Sequence, residues 1–491
     1  MKKTLMDTYK ISFTKSSGYK NVILAIDKNF VLQDNSITLD VAIKSRVETF
    51  LNANNQDKEK KVLSFSLYEH GIEQVYLVNV DTKDNAALIE RFASLGQKVR
   101  SAKIADIALY AWKGASGSGA LAAAAEGFLL GSYVFKGYKN LKGYQVDFTG
   151  LDIVVSDAEK TKTLEAELDE VKAMVAGTFL TRDLVNEPAN IINPSSMEQI
   201  ARDLAKSGVW KVEVLDQQQI IKKGMNLLNS VGMGSIEKPR LVHLSYRPQG
   251  AKKTIAVVGK GVTYDTGGYS LKPQNAMYGM KSDMGGAGTC YGLVSIIAKT
   301  GIKVNVDVYT PLVENMVSDR ATKPGDVFVA YNGRSVEIEN TDAEGRLILA
   351  DALSYAAEKK PDYIVDMATL TGAIVVALGD EIFAAFTKED EVFTGIEKAA
   401  QASSEKIWRM PLEESYKKML KSDVADCKNV GTRSGGAITA ALFLSEFVGD
   451  VPWCHLDIAP TAFSDTNSAL FPKGGTGNPV RSMYRWLKSL A

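Results

Sequence analysis

The sequence predicts an α/β fold in two domains: a smaller N-terminal α/β domain joined by a long helix to a larger α/β domain, whose mixed sheet is covered by helices on both faces. Three observations predict it. Short apolar runs alternate with helical patterns along most of the chain, as in layered folds with a largely parallel sheet. One long amphipathic stretch interrupts that alternation around residues 158–185. The 491 residues also exceed what one ordinary core accommodates.

In chain order, Val22–Ile26, Val62–Leu67, Gln74–Val80, Lys103–Trp112 and Leu151–Val155 read as strands. Asn85–Leu95 and the Ala-rich Ala115–Leu130 read as helices. The GASGSG that opens 114–127 suggests a phosphate loop, but a helix start with a small-residue packing face explains it more simply. From 158 to 185 the apolar residues Leu164, Leu168, Val171, Val175 and Phe179 recur at steps of four, three, four and four, on one helix face. Glu165, Glu167, Asp169 and Glu170 crowd its start, where the helix dipole favours them. Pro188 and Pro194 cannot continue it. The expected organisation is therefore 1–155 as an N-terminal α/β domain, 156–186 as a connecting helix and 187–491 as the second domain.

In the second domain the expected strands are Lys211–Leu215, Pro239–Tyr246, Thr254–Val258, Ile302–Thr310, Asp326–Tyr331, Ser335–Glu339, Tyr363–Asp366, Glu381–Phe386 and Trp453–Ile458. Asn332-Gly333 between two alternating runs marks a tight hairpin. Helices are expected at Ser195–Lys206, Gly286–Lys299, Gly345–Glu358, Thr439–Phe447 and Pro479–Leu490. In such folds sites gather at the carboxyl ends of strands.

Composition narrows the function. Lys plus Arg balances Asp plus Glu at 58 each, which argues against nucleic acid or an anionic membrane as main partner. The charge-free stretches Met367–Gly379 and Met284–Ala298 are too short to span a bilayer, and MKKTLMDTYK lacks the apolar core of a secretory signal. Three cysteines (Cys290, Cys427, Cys454) build no disulfide framework, so a reducing cytoplasm is the expected location. With histidine only at 70, 243 and 455, a metal would be held mainly by carboxylates. His70 and His243 carry no signal, and His455 reads as a hydrogen-bonded core or near-site histidine.

Two segments depart from packing logic. Residues 258–286 are rich in glycine yet contain Lys260, Asp265, Lys272, Lys281 and Asp283; residues 339–353 contain Asp342, Glu344 and Arg346. Read as extended backbone, the i, i+2, i+4 spacing of that triplet points all three side chains one way. Alone it also fits a surface ion-pair network at a helix start. With Asp265 and Asp283 converging from strand ends, four carboxylates match two divalent ions sharing oxygens. Lys260 and Lys272 are then either neutral amine ligands or, farther out, charged electrophiles. Lys281 reads as exposed or ion-paired. The phosphate-loop pattern GxxxxGK[ST] and the zinc pattern HExxH are absent.

GKGVTYDTGGYSLKP (259–273) and NTDAEGRLILADAL (340–353) together resemble the leucine aminopeptidase, or cytosol aminopeptidase, family of two-metal exopeptidases. The resemblance runs from TRDLVNEPAN (181–190) to HLDIAP (455–460) and GGTGNPVR (474–481), with a weaker echo in AAEGFLLGSYVFKGYK (124–139). YSLKP and MKSDMGG read like the bacterial peptidase B branch, whereas the long first domain is more like the aminopeptidase A branch. The resemblance implies that Asp265 and Glu344 bridge both metals, that Lys260 and Asp283 complete the tighter site, and that Asp342 serves the more exchangeable one. It implies that Lys272 polarises the scissile carbonyl and that Arg346 holds a bicarbonate acting as general base. Leu370 and Gly372, in MATLTGA, match substrate-binding backbone; Met280, Thr369, Gly372, Ala459 and Ala462 match the lining of the first side-chain pocket. The resemblance also implies an assembly or accessory role for the N-terminal domain, 1–155. Tyr264 and Tyr269 are peripheral departures that bear on specificity.

The expected activity is metal-dependent removal of leucine-like N-terminal residues from peptides, in a cytoplasmic homohexamer, with Mn2+ or Zn2+ and with Co2+ or Mg2+ as further candidates at the exchangeable site. Alternatives are Cys-Gly dipeptidase activity or a DNA-binding regulatory role. The neutral charge and the lack of a basic cluster speak against the latter.

Overall fold

The computed structural model describes residues 10–14, 19–34, 40–54, 60–69, 71–115, 117–135, 137–138, 150–156 and 160–491. His70 and parts of the 114–127, 124–139 and 156–186 segments lie outside them. By compactness the chain divides into one unit of residues up to 179 with 402–404 and 467–472, and a second of 180–401, 405–466 and 473–491.

The first unit is built on a six-stranded sheet of β1 (Lys10–Thr14), β2 (Asn21–Ile26), β3 (Val62–Glu69), β4 (Ile72–Asn79), β5 (Asp106–Tyr110) and β6 (Gly150–Val154), in the order β1-β6-β5-β2-β4-β3. All neighbours are parallel except β3 and β4. Every residue of β2 is buried, as expected of a parallel strand covered on both faces. Helix Ala120–Gly131 packs on helix Asn85–Ser101 through small residues: a Cβ on Gly127 or Gly131 would come within 2.1 or 2.0 Å of the carbonyls of Ile89 or Ala93. The small-residue stretch is thus a packing face.

The helix expected at 158–185 runs Lys162–Asn186, and Leu164, Leu168, Val171, Val175 and Phe179 are all buried. The two compact units divide inside it, between Phe179 and Leu180.

The second unit contains β7 (Lys211–Leu215), β8 (Arg240–Tyr246), β9 (Thr254–Gly259), β10 (Gly261–Asp265), β11 (Asn305–Asn315), β12 (Val327–Val329), β13 (Ser335–Glu337), β14 (Tyr363–Ala368), β15 (Ile382–Thr387), β16 (Lys406–Arg409), β17 (Cys427–Lys428) and β18 (Trp453–Asp457). Its main sheet has the order β16-β15-β18-β14-β9-β11-β8-β7, with β10 on β11. β18, β14, β9 and β11 run parallel at its centre, while β7, β8 and β15 add antiparallel pairs, so the sheet is mixed. The Asn332-Gly333 hairpin joins β12 to β13, with Gly333 at φ +88°. Among the described residues no helix is long and apolar enough to cross a membrane, and the three cysteines are buried and free.

Two strand expectations change. β11 continues through Pro311 to Asn315 instead of stopping at Thr310. Proline has no N–H to give, and Pro311 falls where β11 changes neighbour, from β9 at Tyr309 to β10 at Leu312. The glycine-rich run after Gly259, where no strand range was expected, begins with β10, where Gly261 lies too close to the Pro311 carbonyl for any side chain.

Candidate active site

Lys260 sits at the break between β9 and β10. Its N–H donates to the Met367 carbonyl at 3.0 Å, and its carbonyl accepts from Ala287 N at 2.8 Å. Its backbone is therefore tied to β14 and to helix Gly285–Thr300, and its side chain is fixed at the carboxyl ends of the central strands. Nζ lies 2.7 Å from Asp283 Oδ1, 2.9 Å from Glu344 Oε1 and 2.9 Å from the Thr369 carbonyl. Lys272 Nζ lies 2.9 Å from Asp265 Oδ2 and 2.5 Å from Asp342 Oδ1. All four predicted carboxylates and both predicted lysines thus meet in one place. Lys281 is not among them: it is half-buried, donates to the Asn186 carbonyl and feels the charge of Glu187.

The route to convergence differs from the expected one. Asp342, Glu344 and Arg346 do not alternate along a strand. Residues 340–344 form a turn, Glu344 has φ −80° and ψ −34°, and Arg346 already belongs to helix Gly345–Ala357. Asp283 comes from a helical turn just before helix Gly285–Thr300, not from a strand end; only Asp265 closes a strand. Glu344 and Asp283 therefore sit at helix N-termini, where the dipole favours negative charge. Gly267 and Gly268, at φ +86° and +62°, turn the chain after Asp265 beneath Thr341, whose hydroxyl donates to the Gly267 carbonyl at 2.6 Å. That turn brings Lys272 back to Asp342.

The electrostatics favour a cation. Burial works against the Lys260 ammonium, but Asp283, Glu344 and Asp265 outweigh it and raise its pKa. Burial and the neighbouring carboxylates Asp265 and Glu344 push Asp342 up to about 6 against the pull of Lys272. Four carboxylates face two ammoniums, so two negative charges remain uncompensated when all are ionised. Carboxylate oxygens of Asp265, Asp342 and Glu344 lie within 4.8 Å of one another, and Asp283 Oδ2 is buried without a hydrogen-bond partner. A buried anion with an unmet lone pair is what a hard divalent cation takes up, so the donor set fits a metal.

Beside this cluster opens a pocket of about 640 Å³ lined by Asp342, Ala343, Arg346, Leu370, Gly372 and the Val430–Arg433 segment. Arg346 is buried; its Nη1 donates to the Asn429 carbonyl at 2.8 Å, while Nε has no partner. Burial lowers its pKa to about 10. Of the residues expected to touch substrate, Leu370 and Gly372 line this pocket; Met280, Thr369, Ala459 and Ala462 do not. Thr369 and Ala462 instead converge on Gly285, where an added Cβ would lie 3.3 and 3.1 Å from their methyl groups. Thr369 also donates its hydroxyl to Asp283 Oδ1 at 2.8 Å.

With this geometry in hand, similarity to known proteins is decisive. Residues 179–484 match the catalytic domain of the cytosol aminopeptidase family, and residues 23–142 match its N-terminal domain. The chain belongs to the cytosol aminopeptidase family. It is 43% identical to a probable cytosol aminopeptidase of Solibacter usitatus over 435 residues, covering 87% of this chain and 89% of that one. A Clostridium perfringens relative of the same description is 44% identical over 371 residues, 74% and 75% of the two chains. Among solved structures, a point variant of tomato leucine aminopeptidase superimposes with TM-score 0.84 at 32% identity, covering 98% of this chain and 97% of the other. The bottromycin maturation enzyme BotP in complex with Mn gives TM-score 0.81 at 32% identity, covering 96% and 100%. Membership in this aminopeptidase family makes the protein a peptide hydrolase.

Two further residues of this cytosol aminopeptidase site stand out only in the folded chain. Asn429 is delivered by β17, which pairs with β13, and its N–H extends the ladder to the Glu337 carbonyl at 3.0 Å. Asp457, at the end of β18, accepts from Leu370 N at 3.0 Å, Ala459 N at 3.2 Å and the Thr371 hydroxyl at 2.7 Å, holding the loop that lines the pocket. Strand pairing places both; an acidic residue closing the buried strand Trp453–Asp457 was the hint available for Asp457. His455 points into the core, bonded to Asp366 at 2.6 Å and stacked between Phe386 and Trp453.

Proposed function

We propose that the protein is a dinuclear-metal aminopeptidase that removes leucine-like N-terminal residues from peptides. The observation that carries this reading is the convergence of two ion-paired groups, Lys260 with Asp283 and Glu344 and Lys272 with Asp265 and Asp342, whose Asp265, Asp342 and Glu344 oxygens lie within 4.8 Å of one another, next to a pocket lined by Arg346. In this reading Asp265 and Glu344 would hold both ions, Lys260 and Asp283 the tighter one, and Asp342 the exchangeable one. When bound, two divalent ions, Mn2+ or Zn2+ with Co2+ or Mg2+ as further candidates, would acidify water and polarise a carbonyl.

The chain's own residues would do the rest. Lys272 would face the substrate carbonyl oxygen and stabilise the charge that appears there only in the transition state. Arg346, buried with one donor unmet, would hold a small anion such as bicarbonate beside the reacting carbonyl, positioned to accept a proton. The Leu370 and Gly372 backbone would align the peptide. Met280, Thr369, Ala459 and Ala462 would shape the surroundings of the first side chain. A homohexamer in the cytoplasm completes the reading, supported by the family resemblance and by three buried free thiols; sedimentation velocity tests the hexamer.

The test is hydrolysis of a panel of aminoacyl-anilides, Cys-Gly and leucyl peptides by the parent, Asp342→Ala and Glu344→Ala. Leucyl substrates should be cleaved fastest by the parent, and both folded variants should be inactive. Parental rates in either variant would overturn the assignment, and a preference for Cys-Gly would favour dipeptidase activity.

A further inference from the structure

Behind the turn that carries Asp342, Asn429 is fully buried and commits its whole side-chain amide to that turn. Oδ1 accepts from Glu339 N at 2.9 Å and Asn340 N at 3.3 Å; Nδ2 donates to the carbonyls of Asn340 at 2.7 Å and Ala343 at 3.3 Å. Its own carbonyl accepts from Arg346 Nη1 at 2.8 Å. Asn340, gripped at both main-chain ends, in turn accepts the Asp342 N–H on Oδ1 at 2.8 Å. A continuous relay therefore runs from Asn429 through Asn340 to Asp342, with a separate arm to Arg346.

We propose that Asn429 is a positioning residue of the active site, which sets Asp342, Glu344 and Arg346 for metal and anion binding; this rests on the dinuclear-metal reading above. The turn at 340–344 lies outside both helix and sheet, so no ladder dictates its shape. An amide is suited to the task because it offers two N–H groups an acceptor and two carbonyls a donor at once. Aspartate would present an oxygen to the Asn340 and Ala343 carbonyls, and alanine would leave the Glu339 and Asn340 N–H groups and the Ala343 carbonyl unmet, with only the Ala343 N–H remaining on the Asn340 carbonyl. Partners that orient metal ligands in this way change metal affinity or activity by about 10–100-fold when removed.

The experiment measures Mn2+ binding by equilibrium dialysis for the parent, Asn429→Ala, Asn429→Asp and Asn340→Ala, alongside circular dichroism and the kcat and KM of leucyl-anilide hydrolysis. Each folded variant should bind Mn2+ about 10–100-fold more weakly than the parent. Its kcat should fall while KM changes little, the split expected when groups acting in the transition state are misplaced. Asn429→Asp keeps the volume and the two N–H contacts, so it decides the matter if Asn429→Ala fails to fold. Asn340→Ala, at a half-exposed position, tests the relay with the core untouched. Folded variants with parental Mn2+ affinity and parental kcat would overturn this inference alone; a parent that binds no Mn2+ would overturn the metal reading beneath it.

Discussion

Lys260 and Glu344 meet at 2.9 Å between Nζ and Oε1, with both side chains almost completely buried. One leaves the end of a central strand and the other the start of a helix, so their contact joins the two sequence segments that carry the site. Asp283 adds a second bond to the same ammonium at 2.7 Å. A buried cation shared by two carboxylates is costly to remove, because the acids are then left in a poorly solvating interior.

Lys260→Met should therefore destabilise the metal-free protein by about 3–5 kcal/mol. Thermal unfolding with and without Mn2+ checks this. The midpoint should drop by several degrees in chelator and recover in part with the ion, whose charge replaces the lost ammonium. An unchanged midpoint in chelator would show that the cluster does not depend on Lys260.

Gly345→Ala should separate activity from stability. An added Cβ would lie 2.6 Å from Lys260 Cε and 2.7 Å from Nζ, so the lysine tip must move away from Asp283 and Glu344. The obstacle is the end of a flexible side chain, and alanine favours a helix over glycine by roughly 0.5–1 kcal/mol. The thermal midpoint should stay near the parent's while leucyl-anilide turnover falls steeply. Parental turnover would show that the position of Lys260 is immaterial.

Asp457→Ala should act through the pocket wall. It leaves Leu370 N, Ala459 N and the Thr371 hydroxyl without their acceptor, the two N–H groups half-buried and the hydroxyl buried. Each unmet group costs about 1–3 kcal/mol, which the loop escapes by moving. KM for leucyl peptides should rise more than kcat falls, measured under saturating metal; an unchanged KM would detach this loop from substrate binding.

A pH-dependent effect is expected away from the site. Asp307 accepts from Arg247 at 2.8 and 2.6 Å and contacts His243 Nε2 at 2.9 Å. Burial pushes its pKa up, but these partners outweigh burial and hold it below the ordinary carboxylate value. A depressed folded-state pKa stabilises the fold above the unfolded value, near 3.9, and the gain is lost as pH falls through the folded value. Asp307→Asn should thus cost about 1–2 kcal/mol at pH 7, and chemical denaturation should show the gap closing below pH about 4. A gap that widens in acid would contradict the sign.

Much of the fold was legible because its signals are local. The four-three-four-four spacing of Leu164 to Phe179 marked a helix, and Asn332-Gly333 marked a hairpin. Short elements escaped. Helices Gln217–Lys222 and Asn226–Gly232 are too brief for a periodic face, although the Asp216–Gln219 capping box was a readable start signal for the first. Helix Asp390–Gln401 was also missed, although Asp390 and Glu391 stand in its first turn, where acidic residues are favoured.

For the site, the residue types were readable and the geometry was not. Two carboxylates and an arginine at even spacing suggested a strand, whereas a turn running into a helix brings them together. Asn429 and Asp457 stayed hidden because their roles exist only through strands that pair across distant sequence.

The central claim is that the converged carboxylates hold two catalytic ions. Metal content of the purified, folded chain, determined together with leucyl-anilide turnover before and after chelation, addresses it most directly. The account predicts two divalent ions per chain, with turnover that vanishes when they are stripped and returns with Mn2+. Undiminished hydrolysis by a fully metal-free chain would contradict it.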